Sequence, residues 1–140
     1  QAESEKTMSE AYKKFIDSAK NLRAEARKAE DPDSAENLLM KASDHASRGN
    51  DEELSKVCWV DSGEQFRKKA ADTEDPRLAF EIYKHGIINL RKGGNEELVK
   101  KSYAEAADKF NKKAIEREKA LFYHSHSSKD SIDFIEEPNK

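Results

Sequence analysis

The chain has 140 residues, enough for one ordinary domain and too few for two. Its 26 basic residues nearly cancel 29 acidic ones, so the net charge of −3 argues against a fully disordered chain, although Leu, Ile, Val and Phe number only 24. A charged fraction of 39% with 5 Gly and 3 Pro fits long solvated helices and excludes a compact β protein; no apolar run nears the roughly 18 residues of a membrane span.

The first element is read from Met8, Ala11, Tyr12, Phe15, Ile16, Ala19, Leu22, Ala26 and Ala29. Their spacings of three and four make one apolar stripe and predict a helix over 8–29. Residues 1–6 read as a flexible end. Asp31-Pro32 opens a second helix over 33–48, because Pro suits the first turn and Asp can cap it. Gly49 then supplies the left-handed residue that ends the helix. Asp51 caps a third helix over 52–72, with Glu52 and Glu53 in its first turn. The punctuation then repeats. Asp75-Pro76 opens a helix over 77–92, Gly93 ends it, and Asn95 caps a fifth helix over 96–122. A single helical-repeat domain over 1–126 results, with 127–140 as a flexible acidic tail. In that tail Ile132, Phe134 and Ile135 have three readings: disorder, fold-back on the chain, or docking on a partner.

The punctuation belongs to an internal repeat. Residues 30–70 align without gaps on 74–114, with 13 identities in 41 positions. The identities include Pro32/Pro76, Ala35/Ala79, Gly49/Gly93, Leu54/Leu98, Phe66/Phe110 and Ala70/Ala114. Trp59/Tyr103 and Asp61/Glu105 are close substitutions. A period of 44 is read as stacked supersecondary units, here helix pairs. The expected fold is all-α: a right-handed stack of antiparallel helix pairs, an α-solenoid of about five helices. Trp59 and Tyr103 should occupy equivalent buried positions, and Phe66 and Phe110 should anchor the core between layers.

The turn Arg48-Gly49-Asn50-Asp51 and the run Glu74-Asp75-Pro76 resemble the punctuation of tetratricopeptide repeats. The unit departs from the consensus: it is 10 residues longer, and the small position late in helix B falls on Asp61 and Glu105. The stretch Cys58-Trp59-Val60-Asp61-Ser62-Gly63-Glu64-Gln65-Phe66-Arg67-Lys68 resembles the repeated C-F-V-D-A-G-x-A-F-K-K segments of the soluble NSF attachment proteins (SNAPs). Asp75-Pro76-Arg77-Leu78-Ala79 and Glu81-Ile82-Tyr83 are similar to further segments of that family. The likeness covers about 35–110. It implies a twisted helical sheet that binds extended or helical protein partners, with vesicle trafficking as the expected setting. That family is about twice as long, and neither its membrane-contact loop nor its functional C-terminal end can be carried over.

Constellations for chemistry are sparse. Gly93-Gly94 sits in a helix–helix turn and is not a phosphate loop. His124 and His126 are two imidazoles where zinc takes three or four ligands, so no metal site is expected. His45 and His85 read as core or groove histidines, not as acid–base catalysts. Cys58, between Val57 and Trp59, reads as a buried structural thiol. No catalytic residue and no cofactor are expected. The lone cysteine excludes a disulfide framework and leans towards a reducing, cytoplasmic compartment. The chain opens on Gln1 instead of Met, which leaves a trimmed or cleaved N-terminus open.

The expected function is a non-enzymatic protein–protein interaction module or adaptor; the alternative is a small-ligand or lipid carrier with a pocket between helices. Candidate partner-binding residues fall in two groups. Phe80, Lys84 and Ile88 lie at successive turns, off the main apolar stripe of the fourth helix. They are read either as packing against neighbouring helices or as a partner-binding patch, and exposure decides. Lys68, Lys69, Lys112 and Lys113 recur at the repeat period and are read as a solvated face or as a surface for an acidic protein or lipid. Interleaved Glu64, Asp72, Asp108 and Glu116 dilute their field, so no nucleic-acid partner is expected.

Overall fold

A computed structural model describes the backbone of residues 2–132 and the side chains of residues 5–122. Five helices follow one another: α1 (Ala2–Lys28), α2 (Pro32–Arg48), α3 (Glu52–Asp72), α4 (Pro76–Lys92) and α5 (Glu96–Ile132). The described residues are all-α. The chain divides into a compact unit ending at Ala106 and a second unit beginning at Ala107, part-way along α5.

Local chemistry explains the boundaries. The Asp31 carboxylate accepts from the Ser34 N–H at 2.8 Å and the Asp51 carboxylate from the Leu54 N–H at 3.0 Å. Asp75 accepts from the Arg77 N–H at 3.1 Å, and the Asn95 side-chain oxygen from the Leu98 N–H at 3.0 Å. Each cap satisfies an N–H that the first turn leaves without a helical partner. The outer ends reach further than the apolar stripe suggests, with α1 starting at Ala2 and α5 continuing to Ile132. Neither Gly nor Pro occurs within 2–28 or 96–132, so neither residue type interrupts the backbone ladder of these two helices. The rest of the expected tail, 133–140, lies outside the described residues.

The glycines at the α2 and α4 ends act differently from expectation. Gly49 and Gly93 have φ of −84° and −83°. The left-handed residue is the next one, Asn50 at φ 63° and Gly94 at φ 75°. What Gly49 and Gly93 allow is close approach. A Cβ on Gly49 would lie 2.7 Å from the Ile16 side chain and 2.9 Å from the Tyr12 carbonyl. On Gly93 it would lie 2.5 Å from Val60 and 2.7 Å from the Lys56 carbonyl.

The first unit is built on small residues. One buried cluster joins Ala19 and Ala26 of α1, Ala35, Leu39, Ala42 and Ala46 of α2, and Cys58 of α3. A second joins Ala70, Ala79, Tyr83 and Ala106, and a third Ile87, Leu90 and Val99. Gly63 and Gly86 let α3 and α4 touch backbone to backbone; a Cβ on Gly63 would stand 2.8 Å from the Gly86 carbonyl. Close packing at this density leaves little room for added volume. Phe66 is 5% exposed and stacks on the His85 ring at 3.9 Å between centroids, as expected of a core anchor.

Three expectations of aromatic burial fail. Trp59 is only half-buried, with the Lys92 ammonium 4.5 Å over its ring. Tyr103 is 46% exposed, with the Arg91 guanidinium 5.6 Å over its ring. These aromatics lie under cations, not in the core. Phe110 is 40% exposed and therefore does not anchor a layer as Phe66 does.

Several side-chain contacts recur 44 positions apart. The Arg23 guanidinium pairs with the Asp61 carboxylate, and Arg67 pairs with Glu105. The Ser18 hydroxyl lies 2.8 Å from His45 Nδ1, and the Asn89 amide donates to the Ser62 hydroxyl at 3.0 Å. The contacts of Gly49 with Tyr12 and Ile16 become those of Gly93 with Lys56 and Val60.

Candidate functional site

Among the described residues a groove of about 500 Å³ runs across α2 and α4. Glu36 and Met40 of α2 form one wall. Glu81, Lys84, His85, Ile88 and Lys92 of α4 form the other, and Trp59 of α3 and Asn89 of α4 complete the lining. Apolar and charged groups are both presented. Met40 is 45% exposed and Ile88 is 53% exposed. Such side chains at the surface are available to a partner.

The floor is held by hydrogen bonds. Glu36 Oε2 lies 2.8 Å from His85 Nε2 and accepts from the Asn89 amide at 2.8 Å. The same amide donates to Ser62 at 3.0 Å, tying α2, α4 and α3 together. Asn89 is buried, and His85 rests on the Phe66 ring. The groove thus has a fixed base while Met40, Lys84 and Ile88 stand at its rim. Lys84 reaches Glu81 at 3.4 Å and the Phe80 ring at 5.5 Å.

The expected patch of Phe80, Lys84 and Ile88 is therefore divided. Phe80 is half-buried and packs against the cluster of Ala70, Ala79, Tyr83 and Ala106. Lys84 and Ile88 are exposed and line the groove. Lys68 lines a separate recess of about 440 Å³ between α1 and α3, together with Arg23, Arg27 and Asp61. Lys69 is exposed on α3. Lys112 and Lys113 are exposed in the second unit, where Lys113 lies 3.8 Å from Glu116.

Sequence reasoning missed Glu36, Met40, Trp59 and Asn89 as groove residues, whereas His85 was read as a core or groove histidine and lines the groove. A pointer was present: Glu36 and Met40 are the repeat equivalents of Phe80 and Lys84.

The ionisable groups near the core are engaged. Arg67 donates to both Glu64 oxygens at 2.6 and 2.8 Å and to Glu105 at 2.7 Å. These carboxylates raise the Arg67 pKa, and the bond from Arg67 holds Glu64 below the usual carboxylate range. Burial, aided by the Glu105 charge, raises the Tyr83 phenol. Burial also pushes the Cys58 thiol up to about 11, which suppresses the thiolate that nucleophilic chemistry needs. Among the described residues no group of three or more His, Cys, Asp and Glu is placed to hold a metal ion, and no helix is long and apolar enough to cross a membrane. His124 and His126 lie outside the described side chains.

Searches of protein-family models, curated proteins and solved structures find no match to this chain.

Proposed function

We propose that this chain is a non-enzymatic protein-binding module that holds a helical or extended segment of a protein partner in the groove between α2 and α4. The observation that carries the reading is the pair of exposed apolar side chains, Met40 and Ile88, standing over a hydrogen-bonded floor and flanked by Glu36, Glu81, Lys84 and Lys92. Apolar contacts give affinity there, and the mixed charges select the register of a bound chain. Those four charges also favour a protein segment over the apolar tail of a lipid, so the adaptor reading stands ahead of the carrier.

The contacts that recur 44 positions apart support reading the chain as stacked helix pairs, in the right-handed manner of tetratricopeptide-like solenoids, which use extended surfaces to bind protein. The likeness of 58–68 to the soluble NSF attachment proteins favours an adaptor in vesicle trafficking, in the cytoplasm. The test is a selection from displayed linear and helical peptides on the parent protein, with a Met40→Asp/Ile88→Asp variant as control. Enriched peptides should lose binding to the variant while its helicity and Tm stay those of the parent. Peptides that bind both proteins equally, or no enrichment, would refute the groove.

A further inference from the structure

The recess between α1 and α3 has a volume of about 440 Å³. Ala26 of α1 and Leu39 of α2, both almost wholly buried, give it an apolar floor. Charged groups surround that floor, and most of them are matched within the protein. Asp61 takes the Arg23 guanidinium, and Glu64 takes that of Arg67. Arg27 and Lys68 also line the recess, are exposed, and form no ion pair among the described residues. The acids of the lining are therefore neutralised, and two cations are left over.

The next repeat shows the same frame with a ring in it. Adding 44 carries Arg23, Ala26, Leu39 and Asp61 onto Arg67, Ala70, Tyr83 and Glu105. Ala70 and Tyr83 are as buried as Ala26 and Leu39. There Arg67 donates to Glu105 Oε2 at 2.7 Å, and the Tyr83 hydroxyl donates to Oε1 at 3.4 Å. In the earlier repeat Arg23 Nε donates to Asp61 Oδ2, which matches the first of these bonds. The second has no counterpart, because Leu39 lacks the outer ring and the hydroxyl of Tyr83. Asp61 Oδ1 instead has a long 3.4 Å contact from Arg23 Nη2, and a carboxylate oxygen accepts more than one bond.

We infer that the recess between α1 and α3 binds a small 4-hydroxyphenyl carboxylic acid, with its ring over Leu39 and Ala26, its hydroxyl on Asp61 and its carboxylate facing Arg27 and Lys68. The ring takes the place that the Tyr83 ring fills in the next repeat, and burying it on the apolar floor supplies affinity. A hydroxyl that donates to an ionised carboxylate makes the stronger kind of hydrogen bond. The same carboxylate repels a phosphate set in place of the hydroxyl, so the ligand is a free phenol. The volume lies within the range of small-molecule sites. The inference rests on the 44-residue register and not on the groove between α2 and α4.

The test is calorimetric titration of the full chain with 3-(4-hydroxyphenyl)propanoate as the probe. Saturable binding is expected with a Kd below about 1 mM. The analogue 3-phenylpropanoate, which lacks the hydroxyl, should bind about fivefold or more weakly. Arg27→Ala/Lys68→Ala should weaken the probe by about threefold or more and leave uncharged 4-methylphenol unaffected. Leu39→Tyr puts the chain's own ring in the recess, as at Tyr83; it should keep the parent's helicity and lose probe binding by about tenfold or more. Met40→Asp/Ile88→Asp should bind the probe as the parent does, which separates this site from the groove. No saturation up to roughly 10 mM probe overturns the inference. Equal affinity for the two propanoates overturns it as well, and both of these readings use the parent protein, whatever Leu39→Tyr does to the fold. Undiminished binding by a folded Leu39→Tyr protein places the probe elsewhere and overturns it too. So does a Tyr-Asp peptide that binds where the free acid does not, because the recess would then serve a protein partner.

Discussion

Replacing Phe66 by Ala removes a ring that is almost wholly buried, stacked on His85 and seated against Gly86. Gly86 has no side chain to refill the space, and the His85 ring is held at Nε2 by Glu36. Truncation of a buried Phe costs about 3–5 kcal/mol, and a site that cannot collapse belongs in the upper half of that range. Loss of the ring–ring contact adds to it. Since a small domain has a total stability of about 5–15 kcal/mol, this one change removes a large part of it. The urea midpoint, followed by far-UV circular dichroism and Trp59 fluorescence, should fall by about 1–3 M for a slope of 1–3 kcal/mol per M. Phe110→Ala makes the internal comparison. Its sequence context repeats that of Phe66, but its ring is exposed, so the cost should stay below about 1 kcal/mol. Equal losses for the two variants, or a Phe66→Ala protein that melts with the parent, would refute the reading of one as anchor and the other as surface.

Gly86→Ala should destabilise the protein despite the better helix propensity of Ala, because its Cβ would stand 3.0 Å from the Gly63 carbonyl; a Tm at or above the parent's would contradict this. Asp51→Ala should cost about 0.5–2 kcal/mol by removing the cap on Leu54, read by urea denaturation, and Asp51→Asn should recover most of it. Cys58 should react with a thiol reagent far more slowly in the native protein than in urea, with its pKa of about 11 and its burial acting together; similar rates would show the site to be open. Acid titration should show the Arg67 cluster. The Glu64 pKa is depressed by folding, so its stabilisation is present above its unfolded value of about 4.3 and is lost as pH falls through the lower folded value. Stability should therefore decline below about pH 4, and Arg67→Gln should flatten that decline; an unchanged slope would sink the assignment.

The helices and their caps were legible because Asp-Pro, Asp and Asn before apolar periodicity have a local mechanism. Burial was less legible. Periodicity shows that Trp59, Tyr103 and Phe110 lie on particular faces, but it cannot show whether another helix occupies each face. The contrast between Phe66 and Phe110 comes entirely from that. The groove was half legible: Lys84 and Ile88 stood out, while Phe80 turned inward to the Tyr83 cluster. Glu36 and Asn89 were hidden because their role is a hydrogen bond between helices, across 53 positions of sequence. Gly49 and Gly93 were recognised as helix ends, but their service to Ile16 and Val60 depends on neighbours that no local pattern names.

The three-residue connections between helices, at 29–31, 49–51, 73–75 and 93–95, bear on how the chain is made. Each helix of the first unit meets partners that precede or follow it closely, so little chain must be searched before a contact closes. A ribosome releases sequence in order. Once α2 has emerged, it can settle on α1 while later residues are still being added. The Arg23–Asp61 and Arg67–Glu105 pairs would then close in that sequence, each fastening the newest helix to one already in place. Assembly of this kind proceeds from one end, and its early stages need no residue that has not yet been synthesised.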